Sequence, residues 1–352
     1  MRKNRTRQLK FNPARPLIRR LAITGLGTLG LMCTLAVILV GYQALVTGRE
    51  RARFPPPGRL INVGGYRLHL RCAGIGSPTV IFESGAGMSS NAWERVQPEV
   101  MKFTRVCSYD RAGYGWSEAS VGPATDAVQV LRTLLNGAGV SGPYVLVGHS
   151  YGSSLVRRFA HRFSGDVAGI VLTATSYPDE ELRRITDETS ERYRRFVQKY
   201  IWTTCSGLIR IIPEQHLPAM FQTYVSLLRK YLPPQAAQSE ISFLHQTRHV
   251  RSLFLEAQHP NSAEEAEDIA VCERGFGTLP LVVLAERWDY SPTPDARERE
   301  EAQHEDERQT RLAHLSVRGK KINVDSGHLI PLERPVAVIE AVRDVVTAAR
   351  QE

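Results

Sequence analysis

Tyr144-Val145-Leu146-Val147-Gly148-His149-Ser150-Tyr151-Gly152 is the stretch from which the rest of the chain can be read. Its opening run is short and wholly apolar, as buried strands are. Gly148 to Gly152 then fits G-x-S-x-G. In that pattern a sharp strand-to-helix turn lifts a serine Oγ clear of a sheet, and the glycines remove side chains that would clash in the turn. Ser153–Arg162 continues as a helix with Leu155, Val156, Phe159 and Ala160 on one side. Strand, turn and helix in succession make Ser150 the candidate nucleophile.

Working outward, further strand-like runs alternate with helical patterns. Leu60–Val63 and Tyr66–Arg71 flank Gly64-Gly65, a hairpin signal. Thr79–Phe82, Arg105–Tyr109, Ala168–Thr173, Leu281–Ala285 and the weaker Lys321–Val324 complete eight strands with the run before Ser150. Thr125–Ala138 and Pro335–Arg350 read as helices. Such alternation predicts an α/β fold with a mostly parallel sheet covered on both faces. Residues 176–275 interrupt the alternation with helical sequence alone, which reads as an inserted cap. Residues 295–314 are strongly charged and predict a solvated helix.

The chain has 352 residues and a net charge of +9. Eight basic residues and no acidic ones fall within residues 1–20, so the rest carries only +1. A near-neutral body excludes a general nucleic-acid surface. Leu21–Val46 then runs 26 residues without a charge, about 39 Å as a helix against the ~30 Å of a bilayer core. Its best-placed cleavage candidate, Tyr42-Gln43-Ala44, has a bulky residue where a small one is wanted, and the stretch is expected to stay as a transmembrane helix. The basic tail before it places the N-terminus in the cytoplasm and the body outside. Gly25-Leu26-Gly27-Thr28-Leu29-Gly30 matches a dinucleotide fingerprint, but no strand precedes it and the surroundings are hydrocarbon. Residues 47–58, with Pro55-Pro56-Pro57, read as a stiff linker.

Two more segments carry a resemblance. Tyr109-Asp110-Arg111-Ala112-Gly113-Tyr114-Gly115-Trp116-Ser117 and Gly327-His328-Leu329-Ile330-Pro331-Leu332-Glu333-Arg334-Pro335, with the Ser150 turn, resemble motifs of the α/β-hydrolase family over about residues 60–350. The resemblance implies an eight-stranded, mostly parallel sheet with a helical cap insertion, preceded by one transmembrane helix. The expected divisions are a basic tail (1–20), the span (21–46), the linker (47–58), a first core segment (59–175), the cap (176–275) and a second core segment (276–352).

The same resemblance implies a triad of Ser150, His328 and an acid, for which Asp289 is the first choice and Asp179 and Glu286 are rivals. Glu286 stands where the family has glycine. It also implies backbone N–H donors from Ala86 and Tyr151 for an oxyanion, although Ser84 replaces the family's usual histidine. No metal or organic cofactor is required, and the expected substrate is a small ester or amide. His149 reads as packing beside the turn. His245 and His249 have metal-ligand spacing, yet Gln246 stands where a metalloprotease needs glutamate. The family's strand order would set Cys72 beside Cys107, in a compartment that permits a disulfide.

Overall fold

The computed structural model describes residues 14–120, 126–175, 177–178, 194–257, 263–286 and 295–351. Eight strands form one sheet: β1 (Arg59–Asn62), β2 (Arg67–Ala73), β3 (Thr79–Glu83), β4 (Val106–Tyr109), β5 (Tyr144–His149), β6 (Val167–Thr173), β7 (Leu281–Glu286) and β8 (Gly319–Val324). Their order is β1-β2-β4-β3-β5-β6-β7-β8. β2 runs antiparallel to β1 and β4, and the remaining neighbours are parallel. From β3 the chain crosses to β4 on one side, then to β5 on the other. The C-terminal ends of β3 and β5 therefore flank the topological switch point, where an open α/β sheet leaves a crevice.

The central strands are buried along their whole length, as strands covered on both faces must be. On one face pack the helices Ala127–Gly137 and Tyr151–Arg162, whose Leu131, Leu134, Leu135, Val156 and Phe159 are buried. Val338, Val342, Val345 and Val346 of the helix Pro335–Ala349 cover the other. Cys72 lies directly opposite Cys107 in the β2–β4 register, and the two form a disulfide with Cα atoms 4.0 Å apart.

Three expectations need correction. The linker is shorter than residues 47–58, because the N-terminal helix runs unbroken over Ala14–Arg53. It ends just before Pro55-Pro56-Pro57, which lack N–H donors and disfavour helical backbone ahead of them. The last helix of the stretch assigned to the cap, Ala263–Arg274, belongs to the core layer. It packs on Tyr151–Arg162, buries Val271 and Cys272, and joins that helix through Arg157 Nε and Asp268 Oδ1 at 2.9 Å. The charged helix Ala296–Ala313 is not solvated throughout, since it packs on β7 and β8 and buries Glu305, Arg308 and Gln309. The cap helices that the structure describes are 194–205, Ala219–Tyr231, Pro234–Leu244 and Thr247–Ala257.

The loop after β4 is organised by one buried carboxylate. Asp110 Oδ1 accepts from Ser90 N–H at 2.6 Å, and Oδ2 accepts from Trp116 N–H at 3.0 Å and meets His69 Nδ1 at 2.9 Å. Burial alone would raise this carboxyl, but the His69 interaction and the two N–H bonds hold it below the ordinary value. Its contribution to stability is thus present above the unfolded pKa and lost as pH falls through the lowered folded one. Asp110→Ala strands two buried N–H donors and the ring nitrogen. We expect it to destabilise the protein by at least about 3 kcal/mol, read as a lower denaturant midpoint in detergent micelles. A midpoint within error of the wild type would contradict the account of this loop.

Candidate active site

Ser150 connects β5 to the helix Tyr151–Arg162 with φ 52° and ψ −121°. A non-glycine residue with such a backbone is strained by about 1–3 kcal/mol, and the surroundings enforce it. A Cβ on Gly148 would lie 2.6 Å from Ser153 Cα, and one on Gly152 would lie 2.6 Å from the Glu83 carbonyl oxygen. Only glycine permits so close a passage between β3, β5 and the helix. Ser150 N–H is held by the Thr173 carbonyl at 2.9 Å, so the turn is anchored to β6 as well.

His328 follows β8 and reaches over the turn. Its Nε2 lies 2.9 Å from Ser150 Oγ, and its Nδ1 lies 2.9 Å from Glu286 Oε2 and 3.2 Å from Oε1. Glu286 is the last residue of β7 and is buried, whereas the His328 side chain is about half exposed (49%). Burial lowers the affinity of this imidazole for a proton. The Glu286 hydrogen bond and charge, with Glu305 and Glu333 nearby, outweigh it and raise the His328 pKa above its ordinary value. The structure brings Ser150 and His328 within hydrogen-bond distance and places Glu286, a rival to Asp289 in the sequence, at the other ring nitrogen. β7 runs one residue beyond the expected Ala285, which sets the Glu286 carboxylate beneath the ring. Asp289 and Asp179 lie outside the described residues.

The segment after β3 faces the serine. A Cβ on Gly85 would come within 3.4 Å of Ser150 Cβ, and Ala86 is exposed at this position. Tyr151 opens the helix directly after Ser150. His149 is buried, sits 3.2 Å from Thr173 Oγ1 through Nδ1, and packs against the His328 ring. Burial, with the His328 charge beside it, holds the His149 pKa well below the ordinary value.

Arg111 binds the segment after β3 from behind. It donates from Nη1 to the Ser84 carbonyl at 2.5 Å and from Nη2 to the Gly85 carbonyl at 2.8 Å. Its charge is met by Glu83 at 2.6 Å and by Glu256 of the cap at 2.8 Å, and it lies over the Tyr151 ring. Two more cap residues grip the same region. His249 Nε2 is 3.1 Å from the Gly87 carbonyl, and Glu240 accepts from Ser89 N–H at 3.1 Å. In the sequence Arg111 is visible only as part of the motif 109–117 and His249 only by its spacing from His245, while Glu240 and Glu256 do not stand out, because charged positions on amphipathic helices look like solvated faces. His245 is not drawn to His249. Its Nδ1 instead meets the Ile241 carbonyl at 2.8 Å.

The family model described as the alpha/beta hydrolase family matches residues 80–341. The chain belongs to the alpha/beta hydrolase family. It is 24% identical over 201 residues to YbdG of Bacillus subtilis strain 168, which covers 56% of this chain and 60% of that protein. It is 32% identical over 120 residues to the 2-hydroxy-6-oxo-2,4-heptadienoate hydrolase of Pseudomonas putida F1, covering 33% of this chain and 43% of that enzyme. The chain thus spans less than two thirds of the length of either relative. A thermophilic esterase from Thermogutta terrifontis superposes with a TM-score of 0.57 at 22% identity, covering 83% of this chain and 98% of that one. At that identity the likeness concerns the fold.

The arrangement around Arg111 leads to a prediction. Arg111→Lys keeps a cation for Glu83 and Glu256 but loses the planar fork that reaches both carbonyls. The protein should remain folded while hydrolytic kcat falls by roughly tenfold or more, as the loop loses register with Ser150. An unchanged kcat on any substrate that the wild type turns over would show that Arg111 does not position the loop.

Proposed function

We propose that this hydrolase is a membrane-anchored serine hydrolase that cleaves an ester-like bond through an acyl-enzyme. The observation that supports this most is the hydrogen-bonded series Ser150 Oγ, His328 Nε2, His328 Nδ1 and Glu286. In this reading Glu286 takes the acid's role in place of Asp289, because His328 Nδ1 already has a buried carboxylate as partner. Glu286 fixes the tautomer whose Nε2 can accept a proton and stabilises the imidazolium that forms.

The reaction follows from those positions. Ser150 Oγ attacks the substrate's carbonyl carbon as its proton passes to His328 Nε2. The Ala86 and Tyr151 N–H groups receive the developing oxyanion, where one such donor is typically worth about 2.7–4 kcal/mol. Collapse expels the leaving alkoxide, which takes the proton from Nε2. Water then gives a proton to Nε2 and attacks the acyl carbon; the acyl–Oγ bond breaks, Ser150 Oγ takes the proton back from Nε2, and the carboxylic acid leaves. Serine at the turn also suits C–C bond hydrolysis, which the name of the Pseudomonas relative brings into view. The match covers only a third of this chain, so ester cleavage remains the reading tested first.

The anchor would be the apolar stretch of the N-terminal helix, long enough to cross a membrane and left unburied by the rest of the protein. The catalytic domain would lie outside the cytoplasm. Two features support this side: the eight basic residues ahead of the span, and the Cys72–Cys107 disulfide, which suits an oxidising compartment.

One experiment tests nucleophile and side together. A membrane-impermeant fluorophosphonate is applied to intact spheroplasts and, separately, to lysed ones, with hydrolysis of a short activated ester measured in parallel. Wild type should be labelled before lysis. Ser150→Ala should take no label and lose at least about 10³-fold in hydrolysis while keeping its circular dichroism. Labelling of the Ala variant would move the nucleophile elsewhere, and labelling only after lysis would reverse the topology.

A further inference from the structure

The apolar run that opens the N-terminal helix is longer than a bilayer needs, and the structure accounts for the surplus. From Leu21, just past Arg19 and Arg20, about 19 residues of helix at ~1.5 Å each reach roughly 28 Å, close to a ~30 Å hydrocarbon core. That distance ends at Leu39. There the helix meets the cap: a Cβ on Gly207 would lie 2.3 Å from the Leu39 carbonyl oxygen.

Beyond Leu39 the helix no longer needs lipid, because it has protein partners. Gln43 is buried, donates to the His245 carbonyl at 2.6 Å and accepts from Arg210 Nε at 2.9 Å. Two turns further on, Arg210 pairs with Glu50 at 2.6 Å. Leu39, Gln43, Thr47 and Glu50 fall at helical spacing on the face turned to the cap. An arginine–glutamate pair within hydrocarbon would be costly, so the membrane surface must lie at or before these contacts. The Leu39–Gly207 approach sets its level.

The cap surface beside that level is apolar and exposed. Trp202 is 72% exposed, and Ile211 56%. Leu208, next to Gly207, is exposed as well. Lys199 shares the exposed face of the helix 194–205 with Trp202. Tryptophan and apolar side chains with nearby lysine at a membrane exit are the composition of an interfacial anchor.

We propose that the cap face bearing Trp202, Leu208 and Ile211 is seated in the headgroup region of the same bilayer that the N-terminal helix crosses. The helix and the cap then form one rigid foot, so the cap, and with it Glu240, His249 and Glu256 at the active site, is held at the membrane surface. This rests on the transmembrane reading of the helix, and the test separates the two.

The full chain is reconstituted in phosphatidylcholine nanodiscs and in matched discs whose acyl chains are brominated near the headgroup. Bromine quenches tryptophan emission at short range. Wild-type emission should fall in the brominated discs, and Trp202→Phe should lose at least half of the quenchable emission. A chain that fails to co-migrate with the discs would remove the span and the foot together. A chain that co-migrates but shows equal quenching in wild type and Trp202→Phe retains the span and overturns the foot. Two copies per disc, with Trp202 unquenched, would likewise overturn it and assign the face to a second copy of the chain.

Discussion

The whole site depends on holding one serine at a backbone conformation that side chains resist. At φ 52° Ser150 stands where the chain reverses from β5 into a helix, and the turn survives because strands on both sides over-determine it. β3 and β5 are paired in parallel from Thr79–Tyr144 to Glu83–Gly148, so the Glu83 carbonyl comes within reach of Gly152. β6 supplies the Thr173 carbonyl to Ser150 N–H. Strain of this kind is maintained only by a well-packed sheet, and here the central strands are buried from end to end. The catalytic geometry is therefore an output of the core.

A second layer of control comes from the cap. His249 and Glu240 reach from cap helices to the segment between Ser84 and Asn91, and Arg111 ties Glu256 to the carbonyls beside the proposed oxyanion donors. Buried Arg111 is tolerated there because Glu83 and Glu256 pair with it, and the Glu240 carboxyl because Ser89 and Asn91 hydrogen-bond to it. The arrangement couples the position of the cap to the shape of the site. The cap also grips the N-terminal helix, through the contacts of Gln43 and Glu50 with the His245 carbonyl and Arg210.

Sequence legibility followed physical range. Ser150 and His328 were legible because local patterns mark them: glycines at a steric pinch, and a Gly-His pair in a loop after a strand. The sheet was legible from short apolar runs. Glu286 was read only as a rival because its role turns on one residue of strand length. In sequence the choice between Glu286 and Asp289 depends on where β7 ends, and apolar periodicity does not resolve strand ends to one residue. The contacts of Arg111, Glu240 and Glu256 were illegible for a different reason. Their partners lie 26 to 151 positions away, and a charge buried by a distant partner has the same local signature as one in water. The continuation of the helix through Arg53 was missed because the prolines that end it were read as the centre of a linker.

The central claim is that Ser150 is activated by a histidine whose other nitrogen is held by Glu286. Its most direct test is the pH dependence of kcat/KM on one ester for wild type, Glu286→Gln and Asp289→Asn. Protonated His328 cannot accept the serine proton, so activity is lost as pH falls through its pKa. Since Glu286 raises that pKa, the wild-type acid limb should lie above the ~6.5 of an ordinary histidine. Glu286→Gln should move the limb to lower pH and reduce the plateau by about 10³- to 10⁴-fold, while Asp289→Asn should leave the limb in place and cost less than about tenfold. An unmoved limb in Glu286→Gln, with the large loss falling on Asp289→Asn, would contradict the account.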